Sequence, residues 1–274
     1  MIDISFSSQA SDSSDNINNS LSNPLTEILS VVIGIDNLTY GKFDKSNTLT
    51  DVKLFTNIDF ENPDSYQELK EELIKINAKS TNISYTGKPF LHSPSESAGE
   101  LIKFFPAFGN KELIQNKLTD QNIVVDFGKT KSQKKFVAQT FDKNINCFHI
   151  STILANYFYP YRTDQLVAHI DNNKVHIMYA KPLDFFYYNQ FECKSESDYL
   201  YFITLAYKSM NLDQNITPLA LSGKVDKQSA IYKLLHDYIR DINLTQSNSF
   251  KVSDYRFMNK SHYYLDLIAT SQCV

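Results

Sequence analysis

One order of signals, three strands, a helix, a strand and a helix, can be read twice along this chain, the copies about 136 residues apart. In the first copy, residues 29–35 and 38–44 flank Asp36-Asn37, a pair that tolerates the positive φ of a tight reversal, and together they predict a β-hairpin. A third strand is expected over 51–57. Ser65 and Glu68 have capping-box spacing, with Tyr66, Leu69, Leu73 and Ile76 recurring at helical intervals. A short strand over 82–86 follows. Ser93-Pro94-Ser95-Glu96 then predicts a helix carrying Leu101, Ile102, Phe104 and Phe105.

In the second copy, residues 166–170 and 174–179 flank Asp171-Asn172-Asn173, and 183–191 reads as a third, aromatic strand. Ser195 and Asp198 cap a helix whose stripe is Tyr199, Phe202, Ile203, Ala206 and Met210. A short apolar strand over 218–222 precedes a helix capped by Asp226, with Ala230, Ile231, Leu234, Leu235, Tyr238 and Ile239 on one face. Between the copies, residues 121–161 predict a strand pair (123–127 and 136–141) and an aromatic helix over 148–159. After Asn243 a polar linker leads to 263–268, which reads as strand or helix.

Residue identity between the copies is negligible, so the duplication rests on element order. A period this long implies two domains side by side with a cleft between them, not a solenoid. The expected organisation is a disordered tail over 1–26, an N-terminal lobe over 27–160 with an inserted strand pair and helix, and a C-terminal lobe over 161–274. The tail holds eight Ser, four Asn and no Lys or Arg, too little apolar surface to offset its ordering entropy.

The formal net charge is −4, and Arg162, Arg240 and Arg256 are the only arginines, so no basic stripe exists and nucleic acid is not an expected partner. Cys147, Cys193 and Cys273 form no CxxC pair, which fits a reducing compartment. No apolar run approaches the ~18 residues of a membrane span, and the first residues lack a basic start and apolar stretch of signal-peptide kind, so the expected location is the cytoplasm.

Three stretches are similar to one known family: Lys181-Pro-Leu-Asp-Phe-Phe-Tyr-Tyr-Asn-Gln-Phe-Glu192, Ser195 through Asp198-Tyr-Leu-Tyr201, and Leu219-Ala-Leu-Ser-Gly-Lys224. The strand ending in Asp36-Asn37 and the closing His262-Tyr-Tyr-Leu-Asp-Leu267 resemble the same family, a Bacteroidetes group designated domain of unknown function 3822. The resemblance implies an α/β fold in which duplicated βββαβα units form a two-lobed actin-like ATPase (ribonuclease H-like) architecture. It carries no catalytic residue over.

What that fold implies for chemistry can be checked turn by turn. Actin-like ATPases hold phosphates with the two hairpin turns and adenosine with a Gly-rich strand-to-helix turn, bare N–H groups forming the anion nest. The positions such a ligand would meet are Asp36, Asn37 and Thr39 in the first hairpin, Asp171 and Asn173 in the second, and Ser222, Gly223 and Lys224 after the apolar strand. Yet turn chemistry alone explains Asp36 and Asn37, Leu38 stands where a phosphate-facing Gly is wanted, and the second turn has no Gly. Asp126-Phe-Gly128 reads as a hairpin connection and residues 129–135 as a basic loop. With 7 Gly in the chain and no Walker-type motif, a phosphate cradle is hard to build. A two-residue turn at Asn172-Asn173 places His169 across from His176 with Asp171 on the same face. No third ligand is evident, these histidines read as solvated, and no metal site is assigned. Cys147 and His149 fall too loosely at a helix start to make a nucleophile pair. The expected function is a non-catalytic scaffold for a protein partner with degenerate nucleotide loops and no required cofactor. The alternative is a nucleotide-binding switch or weak ATPase using ATP and Mg²⁺ in the cleft.

Overall fold

The computed structural model describes residues 26–118, 122–141, 144–158, 164–181, 185–246, 251–252 and 260–273. β1 (Thr26–Ile33), β2 (Asn37–Phe43) and β3 (Thr48–Thr56) form an antiparallel meander. Alternate residues of β1 point to opposite faces: Leu29, Val31 and Ile33 join Leu38 and Tyr40 in one core, while Ser30 and Val32 face the other way. The helix α1 (Gln67–Ile74) closes that core with Leu69 and Leu73, and supplies the crossover that lets β4 (Ala78–Tyr85) return parallel to β1.

The chain then builds a separate antiparallel sheet, β5 (Phe90–Pro94), β6 (Glu112–Leu118) and β7 (Ile123–Lys129), with β7 central. Next come α2 (Lys131–Thr140), β8 (Ile145–His149) parallel to β4, and α3 (Ile150–Phe158). The second copy has β9 (Leu166–Asp171), β10 (Lys174–Lys181), β11 (Phe185–Glu192), α4 (Glu196–Ser209), β12 (Leu219–Gly223), α5 (Ala230–His236) and β13 (Ile242–Leu244). β14 (Lys251–Val252) and α6 (Leu265–Gln272) follow. The sheets run β14-β3-β2-β1-β4-β8 and β11-β10-β9-β12-β13, so without β14 both have the order third, second, first, fourth, fifth. Two equivalently wired lobes are the duplicated α/β fold implied by the sequence.

The last helix of each copy leaves its own lobe. Leu267 and Ile268 of α6 pack on Val32, Phe43, Leu49 and Val52 of the first sheet, and Ser30 Oγ donates to the Leu267 carbonyl at 2.7 Å. Asn82 Nδ2 in β4 donates to the carbonyls of Thr270 (3.0 Å) and Cys273 (2.7 Å) at the end of α6. In the other direction, Ile150, Ile153 and Leu154 of α3 share a core with Val167, Met178 and Ala220 of the second sheet.

Several local expectations are corrected. Ser93 and Pro94 end a strand instead of opening a helix; Gly99 at φ +79° and Pro106 interrupt the stretch, which makes only 3₁₀ turns. Residues 136–141 lie mostly in α2, not in a strand. The basic stretch from Lys131 is that helix's first turns, capped by Thr130 and Gln133, which exchange reciprocal bonds of 3.1 Å. Asp126 and Gly128 sit inside β7, and Cys147 and His149 inside β8. Asn62, not Ser65, caps the turn before α1, because Ser65 is held by Asp59. Ser229 caps α5, with Asp226 accepting the N–H groups of Gln228 and Ser229. Residues 263–268 are helical. The expected tail lies almost wholly outside the described residues.

Candidate functional site between the lobes

The first turn satisfies itself. Gly34 N–H donates to the Asn37 carbonyl at 2.9 Å, Ile58 N–H to the Asp36 carbonyl at 2.8 Å, and Asn37 Nδ2 to Asp36 Oδ1 at 3.1 Å. Asp36 is exposed, whereas Leu38 is fully buried in the lobe core and Thr39 is buried on the opposite face. The second turn reverses at Asn172, φ +47°, as the Asn-Asn pair implies. Its carbonyls are engaged: Tyr199 Oη donates to Asn172 and Cys193 N–H to Asn173, both at 2.7 Å. Asn173 is exposed; Asp171 is buried.

At the end of β12 the chain passes over β9. Gly223 has φ +88°, Lys224 N–H donates to the Ile170 carbonyl at 2.8 Å, and Ser222 Oγ bonds His169 Nδ1 at 3.0 Å. The segment just before α6 crosses this turn. His262 Nε2 donates to the Val225 carbonyl at 3.0 Å, and Lys224 Nζ lies 4.8 Å from the centre of the Tyr263 ring. Asp171, Ser222, Gly223 and Lys224 therefore meet in one place around His169. Asp36, Asn37 and Thr39 stay with the first lobe.

Beside these residues lies a buried polar cluster. His169 pairs with His176 across the hairpin, as the register implied, with ring centres 5.9 Å apart. Both are buried, at 1% and 0% exposure, which corrects the expectation that they are solvated. The cause is the neighbouring layer: this face of the second sheet meets the first lobe and α6. His176 Nδ1 bonds Tyr188 Oη at 2.7 Å, and its Nε2 lies 4.0 Å from Asp171 Oδ2 with no hydrogen-bond partner. From the first lobe, Phe90, His92 and His149 approach the Tyr188 ring at 5.3, 5.2 and 6.0 Å, while His92 and His149 share the Ser151 hydroxyl at 2.9 and 2.7 Å.

Burial dominates the electrostatics. It lowers His149 to about 3, with His92 adding to the effect, and His169 to about 4, against the pull of Asp171. His176 is lowered by burial and by its histidine neighbours. Burial raises Asp171, with Asp266 second, and it raises Asp266 against the opposing charge of Lys224. Burial favours the neutral form of these histidines. Among the described residues no group of three or more His, Cys, Asp or Glu is placed to hold a metal ion, and no helix is long and apolar enough to cross a membrane. Sequence reasoning missed His92, Tyr188 and Asp266, and weighed His149 only as a partner for Cys147. The alternation of β10 and β11 could have put His176 and Tyr188 on one face, but nothing local says that a second lobe covers it.

The family profile described as "Protein of unknown function (DUF3822)" matches residues 16–242. A Bacteroides thetaiotaomicron VPI-5482 protein with an actin-like ATPase fold and unknown function has TM-score 0.72 and 18% identity, over 93% of this chain and 99% of that one. The PilM–PilN type IV pilus biogenesis complex has TM-score 0.57 and 12% identity, over 90% and 98%. These neighbours establish the fold. No curated protein matches the chain.

Proposed function

Because the chain belongs to the DUF3822 family, with the actin-like ATPase fold of its structural neighbours, we propose that it is a non-catalytic scaffold that binds a protein partner. One observation carries this reading: the turn at Gly223, where adenosine would have to rest, is already covered by His262 and Tyr263. The positive φ of Gly223 serves to pass the Ile170 backbone rather than to bare N–H groups toward an anion. Leu38 is committed to the core, and the Asp171 carboxyl is buried among histidines and a second carboxyl, so the described residues offer no ready phosphate or Mg²⁺ ligand set. The described residues of this region do not fit a triphosphate with its metal ion. The PilM–PilN neighbour is named as a complex of two proteins, which is the kind of role proposed here.

The test is a melting curve of the full chain with ATP or ADP and Mg²⁺. A ligand at a hundred times its Kd would add about 2.7 kcal/mol, a visible shift; none is expected. A reproducible rise that Lys224→Gln abolishes would favour the nucleotide switch instead.

A further inference from the structure

Resting on the scaffold reading above, we propose that the partner docks in the groove beside Phe104 and Phe105 on the inserted sheet, and that it does so with a short acidic segment whose carboxylates flank apolar side chains. The stretch that forms the groove makes only 3₁₀ turns, so its apolar residues gather on no helical stripe. Phe108 is drawn inside, but Phe104 is 77% exposed and Phe105 45% exposed, and adjacent bare aromatics of this kind mark a contact surface. On the neighbouring strand, Ile114 packs toward the first-lobe core, and the alternation of β6 leaves Leu113 on the outer face, 41% exposed. Among these side chains lies a groove of about 330 Å³, lined by Ile102, Phe105, Phe108 and Leu113 with Lys103 and Lys111. That is the lower end of the ~300–1,000 Å³ usual for binding clefts, room for a few projecting side chains and not for a domain.

Charge selects the occupant. No carboxylate lines the groove, and among the described residues neither Lys103 nor Lys111 has an ion-pair partner. Glu112, between Lys111 and Leu113 in sequence, turns to the other face, where its carboxylate lies 3.7 Å from Lys129 Nζ and 3.2 Å from Lys134 Nζ. In a chain of net charge −4, a groove whose charged lining is entirely basic draws an acidic segment and turns away a basic one. A lipid surface projects no side chain to fill a concave site, so a peptide suits it better.

Fluorescence anisotropy with the full chain tests this. The probes are a short dye-labelled peptide alternating glutamate with phenylalanine, and its counterpart with lysine in place of glutamate. Wild type should bind the first and hold the second about tenfold more weakly. Phe104→Ser/Phe105→Ser should weaken the glutamate peptide about tenfold, with the melting temperature unchanged because both rings are exposed. Lys103→Glu/Lys111→Glu should reverse the preference and take the lysine peptide. Equal binding of the two peptides by wild type, or affinities unmoved by both pairs of substitutions, would overturn the proposal. Sedimentation of the chain with phosphatidylglycerol vesicles, lost in the Phe104→Ser/Phe105→Ser variant, would overturn it by assigning the groove to a membrane; self-association lost in that variant would assign it to a second copy. A melting shift with ATP or ADP counts against the scaffold reading, whereas peptide failure without such a shift counts against the groove alone.

Discussion

Gly223 and Ile170 are in backbone contact: a Cβ on Gly223 would lie 2.0 Å from the Ile170 carbonyl oxygen. At φ +88° only glycine is comfortable, and the N–H of the next residue closes onto that same carbonyl. Gly223→Ala is therefore expected to destabilise the chain by about 2–4 kcal/mol, strain and collision together. Denaturant unfolding checks it; a loss under about 1 kcal/mol would mean that the crossing is looser than described.

The two residues of the first hairpin on which a nucleotide reading depends should separate cleanly. Leu38→Ala removes a fully buried side chain from the first-lobe core and should cost about 2–5 kcal/mol. Asp36→Ala touches an exposed turn and should stay within about 0.5 kcal/mol. Comparable losses in equilibrium unfolding would show Asp36 to be more than a turn residue.

Asn82→Ala should loosen α6. The side-chain amide is buried and spans the carbonyls of Thr270 and Cys273; its removal takes the donor from the Cys273 carbonyl and leaves Thr270 only its 3.4 Å bond from the Cys273 N–H, at a cost of about 1–3 kcal/mol. Amide exchange in residues 265–272 reads this directly, and protection equal to wild type would refute it.

Stability should fall from pH 7 to pH 5. His149 and His169 are held near 3 and 4 by burial, against about 6.5 when unfolded. Below 6.5 the unfolded chain binds protons that the folded one refuses, so the stability present above that value is lost as pH drops toward 4. Each histidine contributes a slope of about 1.4 kcal/mol per pH unit within that window. Asp171 and Asp266, both raised, act in the opposite sense, since the folded carboxyls take up protons before the unfolded ones do. They recover part of the loss at the acidic end. A flat unfolding free energy across this range would mean that water reaches the histidines.

The duplicated order was legible because each copy's meander is written in local signals: alternation, Asn-rich reversals, and the Ser195–Asp198 cap, which forms as expected. The inserted sheet was not. Its central strand was read correctly over 123–127, but its flanking strands are short, and the Ser-Pro-Ser-Glu run mimics a helix start while Ser93 is in fact paired to Val124 across β5 and β7. Likewise Phe136 and Val137 have strand-like composition, yet the reciprocal cap at Thr130 and Gln133 starts a helix before them. At the candidate site, Ser222, Gly223 and Asp171 lie close to one another around His169, which the sequence did not state. Their burial was not legible, because the groups that cover them come from residues 90–92, 149 and 262–266, far away in sequence.

Each half of the molecule finishes its partner's interior, since α6 lies against the first sheet and α3 shares a core with the second. Severing the chain between α3 and β9 should thus yield two fragments that are each insoluble or molten when made separately and regain order when co-expressed. The same interlocking limits how far the halves can swing apart, so opening would require a helix to peel away rather than a hinge to bend.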